Sequence, residues 1–329
     1  MIAMHAPDGF LEPPVAAATA VISIVVLAFA LRSTSRELGD RQIPLAGITA
    51  AFVFAAQMFN FPVASGTTGH LLGGALAAIL LGPRLGAVVV SVVVVVQALL
   101  FADGGVTALG YNVLNMAIVP AFGGWALFRM FRRVLPANGA GVVVATGLAS
   151  GASVVLASIA FSLEWLFGAS APVPFDTVFT AMVGVHVLIG IGEGVLSALV
   201  VSAVLATRPD LVVGAADLDT AAVAERPRLG ARAFALGGVL VAVFFAAVVS
   251  QFAAGGPDGL ERVAIDRGFE ESGQDHALSD SIFADYATNG IDNEAVSLAV
   301  AGIAGVVLTL VVGYGIVAAS RRVDRRVAH

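Results

Sequence analysis

Long apolar blocks separated by short polar breaks run through almost the whole chain. Nine of them approach or reach membrane-spanning length, at about 14–31, 42–60, 64–82, 86–102, 108–128, 140–163, 177–206, 232–253 and 295–319. A hydrocarbon core about 30 Å thick takes roughly 20 apolar residues as helix. The pattern therefore predicts an all-α, polytopic membrane helix bundle. The third block is the weakest, because its unbroken apolar run covers only His70 to Leu81. Two segments interrupt the rhythm. Residues 207–231 are polar, with two prolines and mixed charge, and read as a linker. Residues 254–294 form a hydrophilic loop holding ten acidic residues against Arg262 and Arg267. The predicted organisation is a seven-span unit over 1–206, a linker over 207–231, and a two-span unit over 232–329 that carries the loop 254–294.

Composition agrees and adds exclusions. Of 329 residues, 58% are hydrophobic and 12% charged, against about 25% charged in an ordinary soluble domain. There is no cysteine, which excludes disulfides, thiolate metal sites and a cysteine nucleophile. All 17 basic residues are arginine, so a Walker A loop, which needs its lysine, is absent. A net charge of −6 argues against a nucleic-acid partner. Short cytoplasmic loops collect positive charge, and with nine spans fifteen of the 17 arginines fall on one side, only Arg262 and Arg267 on the other. This places the N-terminus outside and the C-terminus in the cytoplasm of a multi-pass protein of the cell membrane. Met1–Pro14 has no positive n-region and no cleavage site after the apolar run, so the first block is predicted to be a retained helix.

Ionisable groups inside a bilayer are costly and mark candidate sites. His70 opens the third block, ahead of Gly73, Gly74, Ala77 and Ala78, which would share one small-residue face of a helix. His186 and Glu193 lie seven residues apart on one face of the seventh block, where an ion pair, a proton relay or a structural tether are all open. Gln57 with Asn60, and Asn112 with Asn115, are i, i+3 pairs suited to interhelical hydrogen bonds. Asp103, in the turn FADGG, is a turn residue or a supporting acceptor. The sharpest clue is Met4-His5. If Met4 begins the chain, its amine, the amide nitrogen of His5 and the His5 imidazole form two fused chelate rings, and His70 completes a square-planar set. Such nitrogen ligation favours Ni(II) or Cu(II) and accommodates Co(II). The alternative for His5 is an ordinary histidine near a chain end.

Four stretches carry a family resemblance: MHAPDGFLEPP from Met4, AAQMFNFPVASGTTGHLLGGALAAILLGP from Ala55, QALLFADGGVTALGYNVLNM from Gln97 and HVLIGIGEGV from His186. Over about residues 4–206 the chain resembles the metal-binding membrane subunit of energy-coupling-factor cobalt/nickel transporters, the CbiM/NikM type. GGPDGLERVAIDRGFEES, from Gly255, is similar to the small accessory subunit with the PDGLE signature, so two subunits look fused. The resemblance implies a substrate-capturing component of an importer for Co2+ or Ni2+, with no permanent cofactor and no enzymatic activity. It implies Met4, His5 and His70 as metal ligands, with Asn60, Gly69, Asp8, Asp103, His186 and Glu193 as supporting candidates. The family pattern begins Met-His, whereas this chain begins Met-Ile-Ala-Met-His, so the expected functional start is Met4. Expected partners are a transmembrane coupling subunit, two cytoplasmic ATPase subunits and membrane lipid, with Ala16 and Ala20 as a docking face. The external acidic loop gathers cations, helps load the site, or is a solvated linker. Alternatives in other classes are an ion-coupled secondary metal transporter working through His186 and Glu193, and a membrane metal sensor that binds without translocating.

Overall fold

A computed structural model describes residues 5–35, 42–64, 66–218 and 229–327. Its long helices are α1 (Pro13–Ser35), α2 (Gln42–Gln57), α4 (Pro83–Leu100), α6 (Val119–Arg132), α7 (Gly139–Gly168), α8 (Phe175–Thr207), α9 (Ala231–Ala247) and α11 (Glu294–Val327). Shorter ones are α3 (Gly74–Leu81), α5 (Leu109–Val113) and α10 (Gly259–Arg267). A π turn at Leu114–Ile118 joins α5 to α6 into one rod, just ahead of Pro120, whose missing N–H cannot continue the α ladder. Among the described residues seven helices are long and apolar enough to cross a membrane, and α2 is a shorter apolar helix beside them.

The core gathers around α2 and α4, whose residues are mostly buried, while α1 and α9 present most of their length outward. Helices α7 and α8 pack most extensively, because glycines face each other across the contact. A Cβ on Gly151 would stand 2.6 Å from the Gly190 carbonyl oxygen, and one on Gly190 would stand 2.5 Å from that of Gly151. In lipid, where apolar burial gives no driving force, such close backbone approach is what holds helices together. The C-terminal helices α9 and α11 lie against α2.

The third apolar block departs from expectation. Among the described residues of 64–82 no spanning helix forms; those between α2 and α3 are non-helical, and only the eight residues of α3 are helical. Phe61–Pro62 pairs antiparallel with Thr68–Gly69. His70 therefore precedes the helix and shares no helical face with Ala77 and Ala78, and Asn60 lies past the end of α2. Extended backbone at membrane depth persists only where protein satisfies its polar groups, and here it does. Glu193 accepts the N–H groups of Leu72 (2.7 Å) and Gly73 (3.0 Å), Gln57 donates to the Leu72 carbonyl (3.0 Å), and Thr68 N–H reaches the Pro257 carbonyl (2.8 Å).

The stretch expected to be a linker begins with two tight turns, Pro209–Leu211 and Val213–Ala215, whose Leu211, Val212 and Ala215 are buried. The 254–294 loop is no free solvated chain. It folds over one end of the bundle as a cap that includes α10, whose start is a full capping box: Asp258 accepts from Glu261 N–H and the Glu261 side chain returns to Asp258 N–H.

Candidate metal centre

The N-terminal segment is threaded across the capped end of the bundle and anchored residue by residue. Asn112 grips Ala6 from both sides, accepting its N–H at 3.2 Å and donating to its carbonyl at 2.9 Å. Tyr111 donates to the Pro7 carbonyl, 2.9 Å. The Asp8 carboxylate accepts the N–H groups of Val106, Thr107 and Ala108 and the Thr107 hydroxyl. Those donors belong to the turn that leads into α5, so Asp8 anchors a turn about 100 residues away in sequence. Gly9 takes a left-handed φ of 91° in the turn that follows. Phe10 then enters a small core with Tyr111, Phe161, Trp165 and Phe269.

These anchors bury His5, which is 3% exposed, opposite His70, whose ring lies edge-on at a centroid distance of 5.8 Å. A metal–imidazole bond is about 2 Å, so one ion bridges such a gap. Both line a cavity of about 80 Å3, with His186, Asn112, Asn115 and Asp258 among its other walls. A water molecule needs about 10–15 Å3 of such space, so the cavity has room for an ion together with several waters. The His5 Nδ1 sits 3.2 Å from the Asp103 carbonyl oxygen, and its Nε2 is buried with no hydrogen-bond partner. Burial pushes the His5 imidazole below its ordinary pKa, with the Asp103 carboxylate opposing and His70 adding to the fall. The neutral form, which ligates metals, is thereby favoured. Burial pushes the Asp258 carboxyl up to about 6.

Among the described residues no three His, Asp or Glu side chains gather into a ready metal cage. Two imidazoles thus need further ligands of another kind, and an N-terminal amine with a main-chain nitrogen is such a pair. Met4 lies outside the described residues. The ring nitrogen that closes a chelate with its own main-chain nitrogen is Nδ1, so ligation in that form requires His5 to leave the Asp103 carbonyl.

Other expected residues are distributed around this centre. Gly69 lines the cavity beside His70. Asp103 sits against His5 through its carbonyl and, at 3.7 Å, through its carboxylate. His186 lines the cavity, with Nδ1 2.7 Å from the Met182 carbonyl. Glu193 is bonded to the extended segment instead of to His186. Asn60 does not line the cavity; its main-chain oxygen accepts from Ala254. Asn115 donates to Glu164 on α7, the interhelical bond expected of it, whereas Asn112 serves the N-terminal segment. Ala16 and Ala20 face inward: Ala16 is buried in the core around Tyr111, and Gly110 closes on the backbone of Ala20. The open face of α1 is the other one, with Val21, Ile24, Val25 and Phe29. Sequence reasoning missed Asp258 as a cavity wall and Tyr286 as a buried polar group; the D-x-x-E spacing at Asp258 and Glu261 was the available signal for the first.

Comparison with known proteins meets this geometry. Residues 5–211 match the family model described as the cobalt uptake substrate-specific transmembrane region, and residues 232–322 match the PDGLE domain. A chain from Archaeoglobus fulgidus, described as a fused nickel transport protein, is 36% identical over 95% of this chain and 98% of its own. The cobalt transport protein CbiM of Geobacter sulfurreducens is 32% identical over 69% of this chain and 66% of its own. A crystal structure of a truncated transition metal transporter is 31% identical, with a TM-score of 0.54, over 61% of this chain and 98% of that one. The match thus covers both the helical bundle that holds His5 and His70 and the capping unit that closes over them, and the chain belongs to the CbiM family of cobalt uptake substrate-specific transmembrane proteins, carrying a PDGLE domain on the same polypeptide.

Proposed function

We propose that this chain is the substrate-capturing membrane component of an energy-coupling-factor importer for Ni2+ or Co2+. The observation that carries the reading is the pairing of the buried His5 and His70 rings across one cavity. In this reading the amine of Met4, the main-chain nitrogen and imidazole of His5, and the imidazole of His70 hold the ion. Asp8 and Asn112 fix the N-terminal segment, and Glu193 fixes the strand that presents His70. The ion is substrate, not resident cofactor. The unit over 1–206 binds it, the segment 207–231 connects, and the unit over 232–329 covers the site from outside the cell. The chain performs no chemistry; a transmembrane coupling subunit and two cytoplasmic ATPases supply the energy.

The test is metal content of the purified chain by elemental mass spectrometry after exposure to equal nickel and cobalt. His5→Ala and His70→Ala are run beside it, with intact mass measured on the same sample. The expected result is about one ion per chain, lost in both variants, on a polypeptide whose mass begins at Met4. Metal retained in both variants would overturn the reading and move attention to His186 and Asp258. In cells, uptake that persists without ATPase partners would favour ion-coupled transport instead.

A further inference from the structure

Besides Asp258 in the cavity wall, the capping loop grips one short turn beside the metal site. Residues 100–104 are gripped in succession: Ser281 Oγ donates to the Leu100 carbonyl (2.9 Å), Asp285 N–H to the Phe101 carbonyl (2.9 Å), and His276 Nε2 lies 3.1 Å from the Gly104 carbonyl. Phe283 stacks on Phe101 at 5.6 Å and an interplanar angle of 17°. At the centre, the buried Tyr286 hydroxyl donates to Asp103 Oδ2 at 2.6 Å and accepts from Gln97 Nε2 at 3.0 Å.

The same turn holds His5. The Asp103 carbonyl is 3.2 Å from His5 Nδ1, the other carboxylate oxygen, Oδ1, is 3.7 Å from it, and a Cβ on Gly104 would stand 2.7 Å from the His5 Cβ. Backbone conformation marks the junction as well. Among the described residues the non-glycine positions with left-handed φ are Ala102 (53°), Asp285 (53°) and Tyr286 (57°). All three lie on the two sides of this one contact. Such conformations are uncommon outside glycine and persist where surrounding structure over-determines them.

We propose that Tyr286, supplied by the PDGLE-bearing unit, is a positioning residue for the metal centre, holding the Asp103 carboxylate away from the His5 imidazole. Asp103 is 2% exposed, so its carboxylate must find donors inside the protein. Tyr286 provides one. Without that hydroxyl, the nearest ring donor is His5 Nδ1, already within 3.7 Å of Oδ1. A carboxylate closed on that nitrogen would tie up the ring atom that a chelate needs. Tyr286 thus leaves His5 restrained by a weaker main-chain carbonyl, a contact that a metal ion displaces. Through this phenol the accessory unit acts on the ligand indirectly, by way of Asp103.

This inference rests on the reading of His5 as a metal ligand, and the experiment separates the two. Full-length chain is purified as wild type, His5→Ala, Tyr286→Phe, Asp103→Asn and the Tyr286→Phe/Asp103→Asn double variant. Nickel affinity is measured by equilibrium dialysis with nickel chloride, the visible ligand-field band of bound nickel is recorded, and thermal unfolding is followed in parallel. Loss of nickel in His5→Ala supports the underlying reading; retention there defeats that reading and this inference with it. Given that loss, Tyr286→Phe, which keeps the ring on Phe101, is expected to weaken nickel about tenfold, the low end for outer-shell partners of metal ligands. Its ligand-field band is expected to shift, a change that simple loosening of the cap would not produce. Adding Asp103→Asn removes the competing anion, so the double variant is expected to bind nickel like Asp103→Asn alone. Wild-type affinity in Tyr286→Phe, or a tenfold loss that persists undiminished in the Asp103→Asn background, would overturn the proposal.

Discussion

At the scale of single residues, the N-terminal segment is ordered by polar groups that each serve several partners. Asp8 is the extreme case, with four donors on one carboxylate. A buried donor left without an acceptor costs about 1–3 kcal/mol, and Asp8→Ala would strand several at once. That variant is expected to unfold at a clearly lower temperature and to bind little nickel, while Asp8→Asn, keeping one acceptor oxygen, loses less of both. Thermal unfolding in detergent with parallel nickel stoichiometry checks this. Gly104 makes a sharper demand. Its φ is 85° and any Cβ there would crowd the Cβ of His5, so Gly104→Ala is expected to abolish nickel retention while the bundle still folds; wild-type binding would show that the His5 segment adapts. Of these residues, His5, His70, Asp8 and Asp103 were legible as candidates, because motif and turn chemistry single them out. Which nitrogen of His5 faces Asp103 was not, since no spacing rule encodes a ring orientation.

At the scale of elements, the departure lies between α2 and α4. Apolar residues in a buried non-helical stretch read like those of a helix, so hydrophobicity, supported by the sidedness of the arginines, assigned 64–82 to a span. What decides the backbone is the donor and acceptor ledger of Leu72 and Gly73, closed by a carboxylate about 120 positions further along the chain. Glu193 is therefore the pivot of the element. With Glu193→Ala the Leu72 and Gly73 amides are expected to exchange with deuterium much faster and nickel binding to fall; Glu193→Gln, with one acceptor remaining, is expected to lie between. Hydrogen exchange read by mass spectrometry on the peptide containing residues 70–75 tests both, and unchanged exchange in Glu193→Ala would show that the segment holds itself. The small residues of α1 teach a related lesson: Ala16 and Ala20 were legible as a close-packing face, but helix α5 takes that face within the chain.

At the scale of the whole molecule, the loop between α9 and α11 turns two units into one closed site. Phe269 seals the seam, with its ring 4.5 Å from that of Trp165 and 5.3 Å from that of Phe10. The chain has only two tryptophans, so fluorescence reads this seam directly. Phe269→Ala is expected to shift Trp165 emission to the red and to speed nickel release, because the cap then admits water; an unchanged spectrum would mean that the rest of the loop keeps the seam dry. The acidity that made this loop look like a solvated linker is real, but Val263, Ala264 and Phe269 within it face the bundle and are buried.

The sequence by itself determined the membrane bundle and the presence of a second unit, and marked the two histidines as candidates, because run length, residue type and motif are local properties. The tertiary structure alone decided that the acidic loop is a cap, that the described residues of 58–73 are non-helical, and that Tyr286 meets Asp103 across 183 positions of chain. Those outcomes depend on which buried polar group finds which partner. That is settled by the three-dimensional path of the backbone, since every donor and acceptor enclosed within a membrane must be satisfied by whatever the fold brings beside it.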